Sequence, residues 1–195
     1  MNGSFTACLA LAVLLAAPLC AQQIDPALRA QAESGDAAAQ FALGDHFSAL
    51  ASAAADSGEK ADLLAQSVVW LRKAADQSNL AAELRLADCY RDGRGLARDL
   101  AQAAAWYRRA AEQGDAGAQG KLAILYSVGQ GVPQDSAEAY FWFDVAALVP
   151  GPDQQKYIAN RQAVGTRITA DELAEEQRRL KQWKSTHPPQ PAPQP

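Results

Sequence analysis

Histidine and cysteine are the side chains best suited to bind a metal or act as a nucleophile, and this chain has few of them. It contains two histidines, His46 and His187, and three cysteines. Asp45 and His46 are adjacent, so on a helix their side chains point about 100° apart, and a zinc site would need Cys89 from a second helix. No Ser-His-Asp or Cys-His arrangement lies close together in the sequence. The sequence therefore predicts no metal site, no cofactor and no catalytic residue.

Two glycine pairs, in Gly93–Gly95 and Gly129–Gly131, are the nearest approach to a nucleotide-binding motif. They lack the third glycine and the preceding strand that a dinucleotide-binding loop requires, so they predict turns. Scattered carboxylates such as Glu83 and Asp88 predict surface residues rather than an acid–base pair. The residue types therefore indicate a binding or structural protein rather than an enzyme.

A repeat positions these residues. Trp70, Trp106 and Trp142 lie 36 residues apart, and each opens a similar segment ending in two alanines. A fixed period of this length is typical of units that cannot bury their apolar faces alone and must stack on their neighbours. The sequence therefore predicts a structural role for the three rings, between helix pairs, in preference to an aromatic ligand cage.

Each unit is predicted to contain two helices, A and then B. Leucine and an aromatic residue recur at i, i+4 in helix A: Leu43 and Phe47, Leu86 and Tyr90, Leu122 and Tyr126. Asp36, Asn79 and Asp115 precede these segments as N-caps. The repeat region is predicted at residues 25–148, with units of about 36–75, 79–111 and 115–147.

The first unit is longer than the others. Phe47 and Trp70 are 23 residues apart, whereas Tyr90 and Trp106 are 16 apart. The seven extra residues fall within Ser48–Lys60, and they make about two helical turns. They either form a long loop or lengthen one or both helices, and the long loop is the favoured interpretation. Insertions in repeat proteins often serve binding.

The two ends of the chain are predicted to lie outside the repeats. Residues 1–21 are predicted to be a signal peptide, because the apolar run Ala7–Leu19 has the length of a signal-peptide core and is too short to span a bilayer. Cleavage is expected after Ala21, and lipid attachment at Cys20 is the alternative. Residues 150–184 are predicted to be capping helices, and the Pro-rich residues 185–195 a disordered tail.

The predicted mature protein therefore has a periplasmic or secreted location and no membrane span. Cys89 is then its one cysteine, which leaves no internal disulfide. The net charge of −4 is mixed in sign along the chain. Nucleic-acid binders carry a basic patch or stripe, so this class is not expected.

Several motifs together resemble a known family. They are Ala111–Gln119, Leu122–Tyr126, Gly129–Val132, Asp135 and Ala139–Trp142. The chain resembles the SEL-one-like repeat proteins, cousins of the tetratricopeptide repeat, over about residues 27–148. The resemblance implies a right-handed α-solenoid of stacked antiparallel helix pairs. Some exported bacterial members carry paired cysteines in each repeat, which this chain lacks, so the β-lactam binding proposed for that branch is not expected here.

Members of this family generally look like adaptors whose stacked A helices line a concave groove for a protein segment. By analogy with the tetratricopeptide repeat, the groove residues here are Phe41, Asp45, Leu84, Asp88, Arg91, Gly120 and Ile124. The resemblance therefore implies an exported adaptor, a monomer or weak dimer, that binds a protein, a peptide or an envelope component. The alternatives are an envelope or peptidoglycan-active hydrolase with a site assembled across repeats, and a secreted effector acting on host proteins.

Overall fold

The computed structural model describes residues 24–187, which form nine α-helices and no strand. In chain order they are α1 (Pro26–Glu33), α2 (Ala37–Ala53), α3 (Ser57–Asp76), α4 (Leu80–Asp92), α5 (Leu100–Glu112), α6 (Ala116–Val128), α7 (Ser136–Ala146), α8 (Gln154–Gly165) and α9 (Ala170–Thr186). None of these nine is long and apolar enough to cross a membrane. The predicted signal peptide lies outside the described residues, as do residues 188–195 of the predicted tail. The predicted all-α class is confirmed.

Successive helices pack against each other in a row and form an α-solenoid. The predicted A–B pairs are α2 with α3, α4 with α5 and α6 with α7, and each B helix also packs against the A helix that follows it. At the N-terminal end α1 packs against α2. Leu43, Leu86 and Leu122, the predicted core leucines of the A helices, are fully buried. The core therefore runs between the two layers of helices.

Each A helix begins at the polar side chain that the sequence predicted as its N-cap. In each case a side-chain oxygen of the cap accepts a hydrogen bond from the backbone N–H three residues later. The N···O distances are 2.6 Å for Asp36, 3.0 Å for Asn79 and 2.7 Å for Asp115. A cap of this kind stabilises a helix by about 1 kcal/mol. These three caps set the same starting register in all three units.

The glycine pairs form turns, as predicted, and the second glycine of each pair also joins one unit to the next. Gly95 and Gly131 both have φ of +74°. A Cβ atom on Gly95 would lie 2.3 Å from the carbonyl oxygen of Leu64, and one on Gly131 would lie 2.2 Å from that of Leu100. Each turn thus approaches the backbone of the preceding B helix more closely than any side chain allows.

The extra residues of the first unit lengthen both of its helices, so the favoured long loop is wrong. Helix α2 has 17 residues and α3 has 20, whereas α4 and α5 have 13 each. Only residues 54–56 separate the two long helices, and Asp56 caps α3 by accepting the N–H of Glu59 at 2.8 Å. The added turns are stable because they extend the core, where Ala51 is fully buried.

The three repeated tryptophans differ in how far they are buried. Trp142 is buried, with 3% of its surface exposed, whereas Trp70 and Trp106 are half-buried at the edge of the core. A cation three residues later covers each of the half-buried rings: Lys73 Nζ lies 4.0 Å from the centre of Trp70, and Arg109 Cζ lies 4.4 Å from that of Trp106. The rings therefore pack between helices, and their own helix shields the exposed edges.

A buried polar side chain recurs in every A helix and links consecutive units. Gln40 and Gln119 each donate from Nε2 to the carbonyl oxygen near the end of the preceding helix, on Ala32 and Ala111, at 3.1 Å. Gln77 then donates to Oε1 of Gln40 at 2.8 Å. In the third unit the position equivalent to Gln77 is Val149, which has no side-chain donor. The Oε1 of Gln119 is accordingly buried without a hydrogen-bond donor among the described residues.

The second unit has Glu83 at this position, fully buried, so its predicted surface location is wrong. A carboxylate cannot donate to the carbonyl of Ala75, and Arg109 supplies the donor in its place. Its Nη2 lies 3.1 Å from that carbonyl oxygen and 2.9 Å from Oε1 of Glu83. Gln113 donates to Oε2 of Glu83 at 2.6 Å. Burial raises the pKa of Glu83, and Arg109 and Gln113 oppose that rise.

Helix α8 repeats contacts of an A helix, so the structural repeat continues beyond residue 149, where the sequence period stops. Gln154 donates to the carbonyl of Ala147 at 2.9 Å, as Gln119 does to that of Ala111. Gln154 follows Ala147 by seven residues, whereas Gln119 follows Ala111 by eight, and this one-residue difference hides the period in the sequence.

Helix α9 returns to pack on α7 and caps the solenoid. It begins with the predicted capping box at Thr169. The rings of Trp183 and Trp142 meet edge to face with their centres 5.5 Å apart, and the ring of His187 stacks on that of Trp183 with centres 3.7 Å apart. The helix includes residues 185 and 186, which the sequence assigned to the disordered tail, because these ring contacts hold its last turn.

Candidate functional site

Charged side chains connect the three A helices on one surface. On this surface Arg85 of α4 pairs with Asp45 of α2, and Lys121 of α6 pairs with Asp88 of α4, at 2.9 and 2.8 Å. We call the surface that carries these four residues and Ile124 the A-helix face. The side chains of the first pair are about half exposed and those of the second about one third, so each pair contributes at most about 1 kcal/mol to stability. They therefore add little to the stability of the fold.

Asp88 lies at the centre of the A-helix face and has three partners. It accepts a hydrogen bond from the hydroxyl of Tyr107, and it pairs with Arg91 at 2.9 Å and with Lys121. Tyr107 is fully buried on α5, and burial together with the Asp88 carboxylate raises its pKa, so the hydroxyl remains a donor. The buried tyrosine thus anchors an otherwise exposed group of charges.

Arg91 is held from two sides. Its Nε and Nη2 contact both carboxylate oxygens of Asp92, at 2.7 and 2.9 Å, and its Nη1 donates to the hydroxyl of Tyr107 at 3.0 Å. The hydrogen bonds from Arg91 lower the pKa of Asp92, so both groups are charged at neutral pH. Because Asp92, Tyr107 and Asp88 together engage its donors, this guanidinium is fixed in position and has little capacity left to bind a carboxylate of a partner.

A concavity of about 100 Å³ opens between α2 and α4 beside these charges. The residues that line it are Asp45, Ser48, Leu71, Arg85, Asp88, Cys89, Arg91, Asp92 and Arg94. Burial raises the pKa of the Cys89 thiol, so the sulfur is protonated and weakly nucleophilic at neutral pH. Within residues 24–187, no three His, Cys, Asp or Glu side chains are grouped so as to hold a metal ion.

The structure brings together three of the residues predicted to form the groove: Asp45, Asp88 and Arg91. Ile124 is 38% exposed on α6, outside the concavity. Phe41 and Leu84 are partly buried against the core.

Gly120 lies under the ring of Tyr157 from α8, where a Cβ would be 2.3 Å from a ring carbon. It is therefore covered rather than available to a partner. The tetratricopeptide analogy places it in the groove because the sequence does not show that α8 packs there.

Four residues of the site were not predicted from the sequence: Ser48, Arg85, Arg94 and Lys121. Arg94 carried a signal, because it stands between the two glycines of a turn that the sequence predicted correctly. The charge pairs between helices carried none, since their partners are 33 or more residues apart and share no motif.

Replacing Tyr107 with phenylalanine is expected to lower the free energy of unfolding by about 1–2 kcal/mol, because the buried hydroxyl is a charge-assisted hydrogen-bond donor to Asp88. Urea denaturation measures the change. Tyr90→Phe is the matched control, since the Tyr90 hydroxyl accepts a hydrogen bond from Arg72 at an exposed position and has no other side-chain hydrogen bond within residues 24–187. Equal losses in the two variants would contradict the anchoring role of Tyr107.

Comparison with known proteins finds a repeat model along most of the described chain. The model of the Sel1 repeat matches residues 37–79, 80–115 and 116–148. None of the curated proteins matches the chain by sequence.

Two solved structures are similar. A protective antigen present in uropathogenic Escherichia coli strains, with an SLR fold, is 30% identical, with a TM-score of 0.65 over 86% of this chain and 36% of the antigen. A Sel1 repeat protein from Oxalobacter formigenes is 36% identical, with a TM-score of 0.55 over 66% of this chain and 92% of that protein. The chain thus spans about a third of the length of the antigen.

Proposed function

The chain belongs to the Sel1 repeat family, and from that premise we propose that it is an exported adaptor that binds another protein through its A-helix face. Sel1 repeat proteins generally mediate protein–protein interactions. The observation that carries the proposal for this chain is the charged concavity between α2 and α4, together with the ion pairs that extend it to α6.

The size of the concavity supports a protein partner. A volume of about 100 Å³ is well below the roughly 300 Å³ or more of most small-molecule sites. It accommodates one side chain of a longer segment. The charges around it then contact the rest of that segment, because side chains of Arg85 and Asp45 are 53% and 45% exposed.

The exposed apolar residue of the face supports the same reading. Ile124 is one turn before Val128, which is 54% exposed, so α6 presents an apolar strip beside the charges of α4. Charged groups that fix register beside apolar groups that supply binding energy are typical of protein interfaces. Export is supported by the signal-peptide features of residues 1–21.

Exchanging the charges of one surface pair tests the proposal. We expect Asp45→Arg/Arg85→Asp, combined with Ile124→Glu, to reduce crosslinked partner recovered from the native cell envelope by about tenfold or more. The exchanged pair is retained, so thermal stability should change little, by about 1 kcal/mol or less. The measurement is crosslinking and affinity capture of residues 22–195, quantified by mass spectrometry.

Val69→Glu is the matched control, because Val69 is also an exposed apolar residue, at 53%, and lies on the B helix α3 outside the concavity. It should leave recovery unchanged. If the A-helix variant recovers as much partner as the wild-type protein, the partner binds elsewhere and the proposal is wrong.

A further inference from the structure

One guanidinium in the concavity, that of Arg94, forms no close ion pair among the described residues, although it interacts electrostatically with Asp92. Arg85 pairs with Asp45, and Arg91 pairs with Asp88 and Asp92. Arg94 lines the same concavity, and across residues 24–187 no carboxylate forms an ion pair with it. Its Nη2 lies 3.4 Å from the hydroxyl oxygen of Ser48, which is longer than an ordinary hydrogen bond.

The backbone holds Arg94 in place. Its N–H donates to the carbonyl of Cys89 at 3.0 Å, the preceding Gly93 caps α4 in the left-handed conformation, and the following Gly95 rests against the carbonyl of Leu64. The Cα is therefore fixed on both sides and only the side chain moves. Little backbone entropy is lost when such a group binds a ligand.

The surrounding charges select the kind of anion. Three arginines and three aspartates line the concavity, and Lys121, bound to Asp88 from outside it, adds one positive charge. One singly charged anion balances this excess. A phosphate carries about −1.5 to −2 and would meet three aspartates, whereas a carboxylate carries one charge and matches the guanidinium with two parallel hydrogen bonds.

We infer that the concavity binds one carboxylate of the partner segment and that Arg94 is its ligand, with the Ser48 hydroxyl as a neighbouring donor. The inference rests on the proposed function and adds the chemistry of the partner: an Asp or Glu side chain, or the C-terminus, of a protein segment. Specificity follows from this contact, because a partner lacking the carboxylate covers Arg94 without giving it a close ion pair.

Arg94→Gln is the informative variant, and the chain itself shows that it fits the turn. The corresponding turn of the third unit has Gln130 between Gly129 and Gly131, with the same backbone hydrogen bond, to Leu125 at 3.0 Å. The substitution therefore removes the charge without disturbing the fold. Arg178→Gln is the control, since the Arg178 side chain is 73% exposed on α9.

The experiment is selection of displayed random dodecapeptides on residues 22–195, one library with internal peptides and one with free C-termini, followed by affinity measurement on soluble peptides. We expect selected peptides to share one Asp or Glu, or a free C-terminus. Changing that group to its amide, or Arg94 to Gln, should weaken binding about tenfold or more, and the two changes together no further. The two libraries distinguish a side chain from the chain end.

Two results would overturn the inference. The first is that the selected peptides bind and compete with each other, but their affinity does not depend on a carboxylate or is the same for Arg94→Gln as for Arg178→Gln. The second is that inorganic phosphate displaces the peptide better than acetate at equal concentration. Either result leaves the adaptor proposal intact, since binding itself persists. Failure of that proposal appears differently, as unchanged partner recovery in the charge-exchanged A-helix variant.

Discussion

Gly131→Ala is expected to lower the free energy of unfolding by about 3 kcal/mol, one of the two largest effects that we expect from a single substitution. A positive φ of +74° costs an alanine about 1–2 kcal/mol. The new Cβ would also lie 2.2 Å from the carbonyl oxygen of Leu100, which is backbone of the first residue of α5. Relieving that overlap requires two units to separate, and overpacking of this kind costs about 1–3 kcal/mol more.

Gly129→Ala separates the two contributions. Gly129 has nearly the same φ, +71°, but its Cβ would meet Gln134 at 3.1 Å, a contact that a small shift relieves. We expect a loss of about 1 kcal/mol for this variant. Urea denaturation followed by circular dichroism measures both. Similar losses for the two variants would show that backbone strain, and not the approach of the turn to α5, decides the effect.

Arg109→Met is expected to lower the free energy of unfolding by about 3 kcal/mol at neutral pH. This value lies at the lower end of the range for breaking a buried ion pair, because water reaches the exposed part of Arg109. The variant leaves the fully buried Glu83 carboxylate without its cation and the Ala75 carbonyl without its donor. Adding Glu83→Gln should recover most of the loss, because Gln40 and Gln119 already bond in this way to the preceding helix.

The pH dependence gives a second readout of Glu83. Its pKa in the folded protein is raised above the ordinary 4.5, so its contribution to stability is present below about pH 4.5 and is lost as the pH rises through the folded pKa. We expect the free energy of unfolding of Arg109→Met to fall further between about pH 4 and pH 7 than that of the wild-type protein. The double variant should lose this difference. Burial also raises the pKa of Glu176, which acts equally in all three proteins.

Much of the fold follows from local sequence signals. The N-caps at Asp36, Asn79 and Asp115 and the capping box at Thr169 are short-range patterns, and they mark the starts of four helices correctly. The glycine turns are equally local. The extension of α2 and α3 was not the favoured prediction. Seven added residues preserve the helical phase, but nothing else in the sequence indicates that they extend the core.

The candidate site was less predictable, because its geometry depends on contacts between helices. The carboxylate of Glu83 looked exposed, since nothing in the sequence links it to Arg109, 26 residues later. Asp88 was placed in the groove by analogy, but the buried Tyr107 that holds it belongs to another helix. The difference between Arg94 and its neighbours Arg85 and Arg91, which form close ion pairs, emerges only from the structure.

The contacts of Gly95 and Gly131 with the preceding B helices also bear on the curvature of the solenoid. Both are contacts between backbone atoms, and they recur at the same 36-residue interval with the same φ. The main chain therefore limits how neighbouring units can move relative to each other, independently of the side chains of the A-helix face. Substitutions on the A-helix face can therefore change which partner binds while the spacing between the A helices stays the same.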